Sequence, residues 1–318
     1  MTAMGATPYE IMRAIPFDLP PKEFNPSEAT EDSLRRYGFP VGPWRGSWKR
    51  TCSLIQPEFG KSEQTKRHYF EKAGDWAGVE VMAPEGDTID AVRAVWTIPK
   101  AYFPEGANGD MAYAASSWVG IDGDHGSTDI LQVGVDSMVY RASRKLTRAF
   151  VAWWEWVPSD REYAQRNFEE SDREVKNFDV SAGDTVDCQI YVKHDDRKQA
   201  SIHLYNQNSG VARSFLVKAP KDTELRGNCV EWIVERIDYK NNFVLARYDD
   251  VEFEDAEAIT NRSGILRPGA KGVRWRDVEM VERECVISRG SCKREGRVLC
   301  TYVNPARAMR AAAGKEKA

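Results

Sequence analysis

The segments VDCQIYV (residues 186–192) and SIHLYNQNSGVARSFLV (residues 201–217) decide the fold. Every second residue of the first segment is apolar, and the second segment keeps an alternation on both sides of Asn208-Ser209-Gly210. A repeat of two residues indicates β-strands, and Asn, Ser and Gly are favoured in tight turns. The two segments therefore predict neighbouring strands, the second segment being folded into an antiparallel hairpin.

Similar alternation recurs through the rest of the body, for example at Val92, Ala94, Trp96 and Ile98, whereas patterns typical of long amphipathic helices are absent. Strands that are not separated by crossover helices favour an all-β, antiparallel architecture. A body of about 230 residues suits one domain of this kind better than two. We therefore predict a single two-sheet β-sandwich over residues 71–303.

The two ends of the chain lack this alternation. Residues 1–70 are rich in proline and have few regularly spaced apolar residues, so we expect an extended leader or a removable pro-like segment, with one short helix at 27–34. Residues 304–318 are small, basic and unpatterned, which predicts a disordered tail. Within the body, residues 159–177 are densely charged and predict a solvated loop or short helix.

The composition argues against several classes of function. The chain has 318 residues, with 45 Lys+Arg against 49 Asp+Glu, and its net charge is −4. It has no dense stripe of cations, so nucleic acid is not an expected partner. No segment approaches the roughly 18 apolar residues that a membrane span needs, and we expect no membrane association. The six cysteines do not settle the redox compartment.

Common catalytic motifs are missing from the sequence. There is no G-x-S-x-G segment, and the only Gly-Lys-Ser, at residues 60–62, lacks the first glycine of a P-loop. The four histidines do not have the spacing of a zinc site. We therefore predict neither a metal ion nor a cofactor.

In four strand-like segments, the side chains of one parity, that is, of every second residue, are polar or aromatic, and those of the other parity are apolar. The polar or aromatic parity contains Gln132 and Asp136 in ILQVGVD, Trp118 and Asp122 in SSWVGID, Glu231 and Glu235 in EWIVE, and Trp153 and Glu155 in VAWWEWV. Side chains of one parity share one face of a sheet. By pattern alone this face is the wet side of a sandwich, but its large indoles also fit a cleft for an extended ligand.

In these segments the chain resembles the eqolisins, or glutamic peptidases, which are acid endopeptidases with a concanavalin A-like, jelly-roll β-sandwich. Seven segments match in the family's order: DWAG (75–78), SSWVGIDGD (116–124), ILQVGVD (130–136), AWWEW (152–156), SAGDTV (181–186), EWIVE (231–235) and CTYV (300–303). The resemblance implies an acid-type endopeptidase that acts on polypeptides.

The resemblance places the family's catalytic pair at Gln132 and Glu235. Glu235 would take a proton from the attacking water and return it to the leaving amine. Gln132 would orient the water and donate an N–H to the oxyanion, which an amide can do because it is both acceptor and donor. Without the resemblance, both residues are ordinary strand residues. The positions that match the family's substrate cleft are Trp76, Trp118, Asp122, Asp136, Trp153 and Glu155.

The chain departs from the family in its cysteines and its surface. Gly126 and Arg226 stand where a secreted member carries a disulfide, whereas Cys292 and Cys300 could still close the last hairpin. The family is usually secreted, but no signal peptide is visible here and 30% of the residues are charged. These features favour an intracellular or neutral-pH homologue, or a misassigned start.

Two other functions fit the sequence. Concanavalin-like sandwiches also host glycoside hydrolases, in which Glu155 and Glu235 would be the two carboxylic acids. Alternatively, the sandwich is not catalytic and binds peptides or glycans through Trp76, Trp118 and Trp153. In each case we expect a monomer.

Overall fold

The computed structural model describes the body of the chain. The described residues are 15–16, 30, 32–33, 69–73, 75–107, 111–127, 129–142, 145–157, 174–175, 177–193, 196–220, 223–237, 243–282 and 285–304. The predicted leader, helix, charged segment and tail lie largely or wholly outside this set and stay predictions. Within it, only positions 32 and 33 are helical. The described residues include no helix long and apolar enough to cross a membrane.

The all-β prediction is confirmed. The strands of the described part are β1 (Ile15–Pro16), β2 (Tyr69–Ala73), β3 (Trp76–Met82), β4 (Ile89–Thr97), β5 (Ala101–Tyr102), β6 (Ala112–Asp122), β7 (Ile130–Ala142), β8 (Lys145–Val157), β9 (Thr185–Val192), β10 (Gln199–Asn206), β11 (Val211–Lys218), β12 (Cys229–Glu235), β13 (Phe243–Leu245), β14 (Arg247–Tyr248), β15 (Val251–Thr260), β16 (Gly264–Leu266), β17 (Trp275–Glu282), β18 (Cys285–Arg294) and β19 (Arg297–Tyr302). The hairpin predicted over 201–217 is formed by β10 and β11.

The strands form two layers. We call β8-β7-β6-β12-β3-β17 the front layer and β11-β10-β9-β4-β15 the back layer, each in the order of pairing. All of these pairs are antiparallel. Strand β15 connects the layers. Its start pairs with β19, which is joined to the front layer through β18 and β17, and its remainder pairs with β4. The arrangement is the predicted antiparallel β-sandwich.

The main core lies between the two layers. It is built from the apolar parity of each strand, which the sequence had assigned to the inside: the front layer supplies Val79, Val119, Leu131, Val133 and Trp232, and the back layer supplies Val92, Cys188, Ile190, Ile202 and Phe215. Burying one large apolar side chain contributes about 1.5–3 kcal/mol. Because these positions alternate, the core also fixes which side chains of the front layer point away from it. We call that second surface the outer face.

The disulfide that the sequence allowed between Cys292 and Cys300 is not formed, since both are free thiols. The reason is the register of the last hairpin. Cys300 pairs with Gly290 and Cys292 pairs with Val298, so the two cysteines are not opposite each other. The Cys300 thiol instead points into the sandwich and donates to the Ala77 carbonyl at 3.3 Å.

Hydrogen bonds join the loops that contain Gly126 and Arg226, the two positions that the resemblance matches to a disulfide. Arg226 Nη1 donates to the Gly126 carbonyl at 2.7 Å, and Asn228 Nδ2 donates to the His125 carbonyl at 3.0 Å. The loop that leads into β12 is therefore connected to the loop after β6 without a covalent bond.

Strands β18 and β3 make a close backbone contact through Gly290 and Gly78. A Cβ atom on Gly290 would lie 2.1 Å from the Gly78 nitrogen, and a Cβ atom on Gly78 would lie 2.0 Å from the Trp232 carbonyl oxygen. Backbone atoms cannot give way as the end of a flexible side chain can. Glycine is thus required at position 290 by the packing of the last hairpin on β3, and at position 78 by the close approach of β12.

We predict that Gly290→Ala destabilises the protein, because the added methyl group meets the backbone of β3. Overpacking of this kind costs about 3 kcal/mol or more where the neighbouring atoms cannot move. Ser291→Ala, on the next residue of the same strand, is the control and should change stability by less than about 0.5 kcal/mol. Denaturant unfolding measures both; equal midpoints would show that β18 and β3 are not in this contact.

Candidate active site

A row of residues that are all polar except Gly120 crosses the outer face at right angles to the strands. Gln132 on β7 pairs with Gly120 on β6, Gly120 pairs with Glu231 on β12, and Glu231 pairs with Glu80 on β3. On the other side of Gln132 the row continues with Glu155 on β8. Directly paired residues have their side chains on the same face. We call these five residues the polar row.

A second row contains Glu235. Asp136 pairs with Ser116, Ser116 with Glu235, and Glu235 with Trp76. The side chains of this row are linked, because Ser116 Oγ donates to Asp136 Oδ1 at 2.6 Å and accepts from Trp153 Nε1 at 3.1 Å. We call Asp136, Ser116, Glu235 and Trp76 the Glu235 row.

Aromatic and apolar side chains fill the space between these two rows. Trp153, Trp118 and Ile233 are almost completely buried and belong to one apolar cluster, with Trp76 packed against it. Trp76 meets Trp118 edge to face, with ring centroids 5.0 Å apart. Gly134 makes room for Trp118, since a Cβ atom at Gly134 would lie 2.4 Å from the Trp118 Cβ. The indoles of the outer face therefore form a packed floor.

The Trp118 indole connects the two rows. Its Nε1 donates a hydrogen bond of 2.8 Å to Glu235 Oε2. Its six-membered ring lies over Gly120, where a Cβ atom would be 2.8 Å from Trp118 Cζ3. A hydrogen bond to a carboxylate is stronger than one between neutral groups, so this contact fixes the orientation of the Glu235 side chain.

Gln132 and Glu235 share the outer face but lie in different rows. Two strand spacings, about 9.5 Å, and four residues along β12, about 13 Å, separate their backbone positions in a flat sheet. The residue that pairs across Gly120 with Gln132 is Glu231. Gln132 and Glu235 can bind one ligand only if both side chains extend over the floor that Trp118 forms.

The surroundings of the Asp122 carboxylate differ from those expected of a residue that lines a substrate cleft. Its carboxylate is buried and accepts hydrogen bonds from the backbone N–H groups of Arg226, Gly227 and Asn228, at 2.6, 2.8 and 2.7 Å. Burial raises the pKa of Asp122, although these three N–H groups act to lower it. The positive φ of 67° at Asp122 turns this strand end toward the loop before β12. Asp122 thus holds that loop.

Four ionisable side chains cluster at the far end of the polar row. Ligand atoms of Glu80, Asp124 and His125 lie within 4.8 Å of one another. Arg276 Nη2 is 2.6 Å from Glu80 Oε2 and also pairs with Asp124, while His125 Nε2 is 3.3 Å from Glu80. The Arg276 guanidinium thus already supplies a positive charge to both carboxylates.

The sequence identified only part of this arrangement. It placed Glu231 on the outward parity without giving it a role, and it did not identify Ser116, Glu80 or Arg276. Their proximity depends on which strands pair and in what register, and strands β3, β12 and β17 are far apart in the chain. The alternation within each strand predicts the face but not the neighbours across the sheet.

The comparisons with known proteins identify the class to which this fold and site belong. The profile of the Peptidase A4 family matches residues 74–302, which is most of the chain. The chain belongs to this family. The resemblance to the eqolisins is thereby confirmed.

Individual relatives are distant in sequence. The chain is 28% identical over 212 residues to aspergillopepsin-2 of Aspergillus niger, covering 61% of this chain and 67% of that protein. It is 27% identical over 141 residues to scytalidopepsin B of Scytalidium lignicola, covering 44% of each. The crystal structure of scytalido-glutamic peptidase with a peptide-based transition-state analog has a TM-score of 0.54 at 21% identity, covering 72% of this chain and 98% of that one. The likeness to this structure supports the fold.

We predict that Trp118→Phe lowers kcat/KM for a protein substrate by about 10- to 100-fold, because a hydrogen bond to a charged group is worth about 1.5–3 kcal/mol. The control is Trp96→Phe, which removes an N–H that donates to Ser117 Oγ at 3.0 Å in the interior of the sandwich. That variant should lose stability and keep its activity once folded. Equal activity of Trp118→Phe and wild type would remove Trp118 from the site.

Proposed function

We propose that this protein is an acid-type endopeptidase in which Glu235 is the general base and Gln132 stabilises the oxyanion. Its membership of a peptidase family makes polypeptides its substrates. The observation that carries the residue assignment is the contact between Trp118 Nε1 and Glu235 Oε2 on the face that also carries Gln132. This contact gives one carboxylate of the outer face a fixed orientation.

The reaction follows from the chemistry of the two side chains. The Glu235 carboxylate takes a proton from water as the water attacks the scissile carbonyl, and it then gives the proton to the leaving amine. The Gln132 amide donates an N–H to the oxygen on which negative charge develops. Because the two side chains lie in different rows, we propose that the scissile peptide group and its attacking water lie between them, over Trp118.

The remaining residues of the Glu235 row support the substrate site. An extended peptide can pack against the Trp76 indole, which is partly exposed and adjoins the floor of the outer face. Asp136 accepts from Ser116, and Ser116 accepts from Trp153, so this chain of hydrogen bonds holds the almost completely buried Trp153 ring in the floor. We propose Trp76 as a substrate contact, and Asp136 and Trp153 as residues that position the floor of the substrate site. Glu155, beside Gln132, is proposed as a contact at the edge of the site.

The other functions that the sequence allowed have less support. A glycoside hydrolase needs two carboxyl groups about 5–9.5 Å apart. Glu155 and Glu235 are three strands apart, or about 14 Å, and also two rows apart along the strands. A sandwich that only binds peptides or glycans needs no general base. The family membership also favours a peptidase over both.

We predict that Glu235→Gln lowers the cleavage rate by about 10²–10⁴-fold through loss of the base. Gln132→Ala should lower it by about 10²–10³-fold through loss of an oxyanion donor. Circular dichroism should be unchanged in both, since neither side chain belongs to the core between the layers. The assay is digestion of a denatured protein in acid, followed by mass spectrometry.

The matched control for these variants is Glu252→Gln, which changes an exposed strand glutamate that pairs with Arg297. It should retain wild-type turnover. Wild-type turnover in Glu235→Gln or in Gln132→Ala would contradict the assignment of that residue. Release of reducing sugar from a glucan without any proteolysis would instead support the glycoside hydrolase.

A further inference from the structure

Glu231 differs from Glu235 although the two residues lie on the same strand and the same face. Glu231 is completely buried, whereas Glu235 is partly exposed. Neither oxygen of the Glu231 carboxyl has a nitrogen or oxygen donor within hydrogen-bond distance among the described residues. An ionised carboxylate in such a place is very costly, because burial removes water and nothing replaces it.

The groups around Glu231 are mostly acidic. Glu80 on β3, Asp122 at the end of β6 and Asp124 in the following loop all act to disfavour its negative charge. Burial raises the pKa of the Glu231 carboxyl well above its usual range, Glu80 raises it further, and a contact with the Cys229 thiol acts in the opposite direction. These effects keep a proton on Glu231.

The Arg276 guanidinium does not compensate for this. It pairs with Glu80 and Asp124, and no salt bridge joins it to Glu231 in the described part of the chain. The His125 imidazole lies 3.3 Å from Glu80. Both groups therefore contact the far end of the polar row.

The Glu231 carboxyl shares the space above Gly120 with the Trp118 indole. A Cβ atom on Gly120 would lie 3.3 Å from Glu231 Oε2 and 2.8 Å from Trp118 Cζ3. The opposite side of the same indole holds Glu235 through its N–H. Glu231 and Trp118 thus border the same space above Gly120, and Trp118 in turn holds the proposed general base.

We propose that Glu231 is a positioning residue of this site: as an uncharged carboxylic acid it fills the space beside Gly120 and supports the Trp118 indole, which holds Glu235. This inference rests on the proposed function for its effect on catalysis, but its effect on the fold is independent of it. Loss of the proton would place a negative charge where no nitrogen or oxygen donor of the described residues lies within hydrogen-bond distance. The carboxylate would then move toward water and displace the indole, so the site is assembled in acid and loosens as the pH rises.

The same proton links stability to pH. A carboxyl with a raised pKa in the folded protein contributes its full stabilisation below the unfolded value of about 4.3, and that contribution is lost as the pH rises toward the folded value. Replacing Glu231 by glutamine keeps the shape of the side chain and leaves no carboxyl group that can ionise. The variant should therefore lose less stability than wild type as the pH rises.

The experiment compares wild type with Glu231→Gln over a pH series from about 3 to 8, which brackets the carboxyl and histidine ranges. It measures kcat/KM, tryptophan fluorescence and the thermal midpoint. In acid, Glu231→Gln should keep kcat/KM within about threefold of wild type, since less than about 1 kcal/mol is lost. As the pH rises, the decline of kcat/KM and the change in tryptophan fluorescence should both begin at least about one pH unit higher in the variant than in wild type.

The control is Glu257→Gln. Glu257 is also buried with a pKa raised by burial, but it lies on β15 and pairs with Arg267 at 2.7 Å. This variant should leave the pH profile of kcat/KM unchanged. Glu231→Met, of similar length and without charge, gives the same comparison if the glutamine variant does not fold.

Two outcomes would overturn the inference. One is a decline of activity and of the thermal midpoint at the same pH in wild type and Glu231→Gln. The other is a loss of activity at every pH as large as that of Glu235→Gln, which would make Glu231 the base. If wild type cleaves no peptide at any pH, the proposed function fails, and the difference in thermal midpoints still decides whether Glu231 holds a buried proton.

Discussion

The pairing of β7, β6 and β12 is the constraint on which the site depends. This register brings Gln132, Gly120 and Glu231 into one line and places Glu235 two rows away on the same face. Glycine at position 120 leaves the space into which both the Trp118 ring and the Glu231 carboxyl fit. A shift of one residue in any of these pairings would turn the polar side chains into the sandwich. The core between the layers, which fixes the register, therefore also maintains the chemistry on the opposite face.

The outer face contains two glutamates in contrasting surroundings. Glu235, at the end of β12, accepts a hydrogen bond from an indole, whereas Glu231, at the centre of the strand, has no nitrogen or oxygen donor among the described residues. Enzymes commonly assign different roles to two carboxyls by giving them different environments. Here one tryptophan holds Glu235 and borders the same space above Gly120 as Glu231. The division of labour proposed for them follows from burial and hydrogen bonding rather than from any difference in residue type.

The sequence predicted the architecture and the face of each candidate residue, because a repeat of two residues is a property of each strand alone. Val119 and Leu131 lie in the core as expected. What the sequence could not predict are contacts between segments. Parity placed Asp122 on the outer face, but the bonds from its carboxylate to the loop at 226–228 depend on a left-handed backbone conformation at the strand end. The spacing of Cys292 and Cys300 suggested a bridge, and only the register of the hairpin excludes it.

The contact between Arg226 and Gly126 has a consequence for how the entrance to β12 is maintained. A crosslink between sulfur atoms must be formed by an oxidant and is lost to a reductant, whereas a guanidinium–carbonyl hydrogen bond responds to neither. The geometry of this loop is therefore insensitive to glutathione or dithiothreitol. The hydrogen bond is reversible, and it forms as soon as the two loops meet.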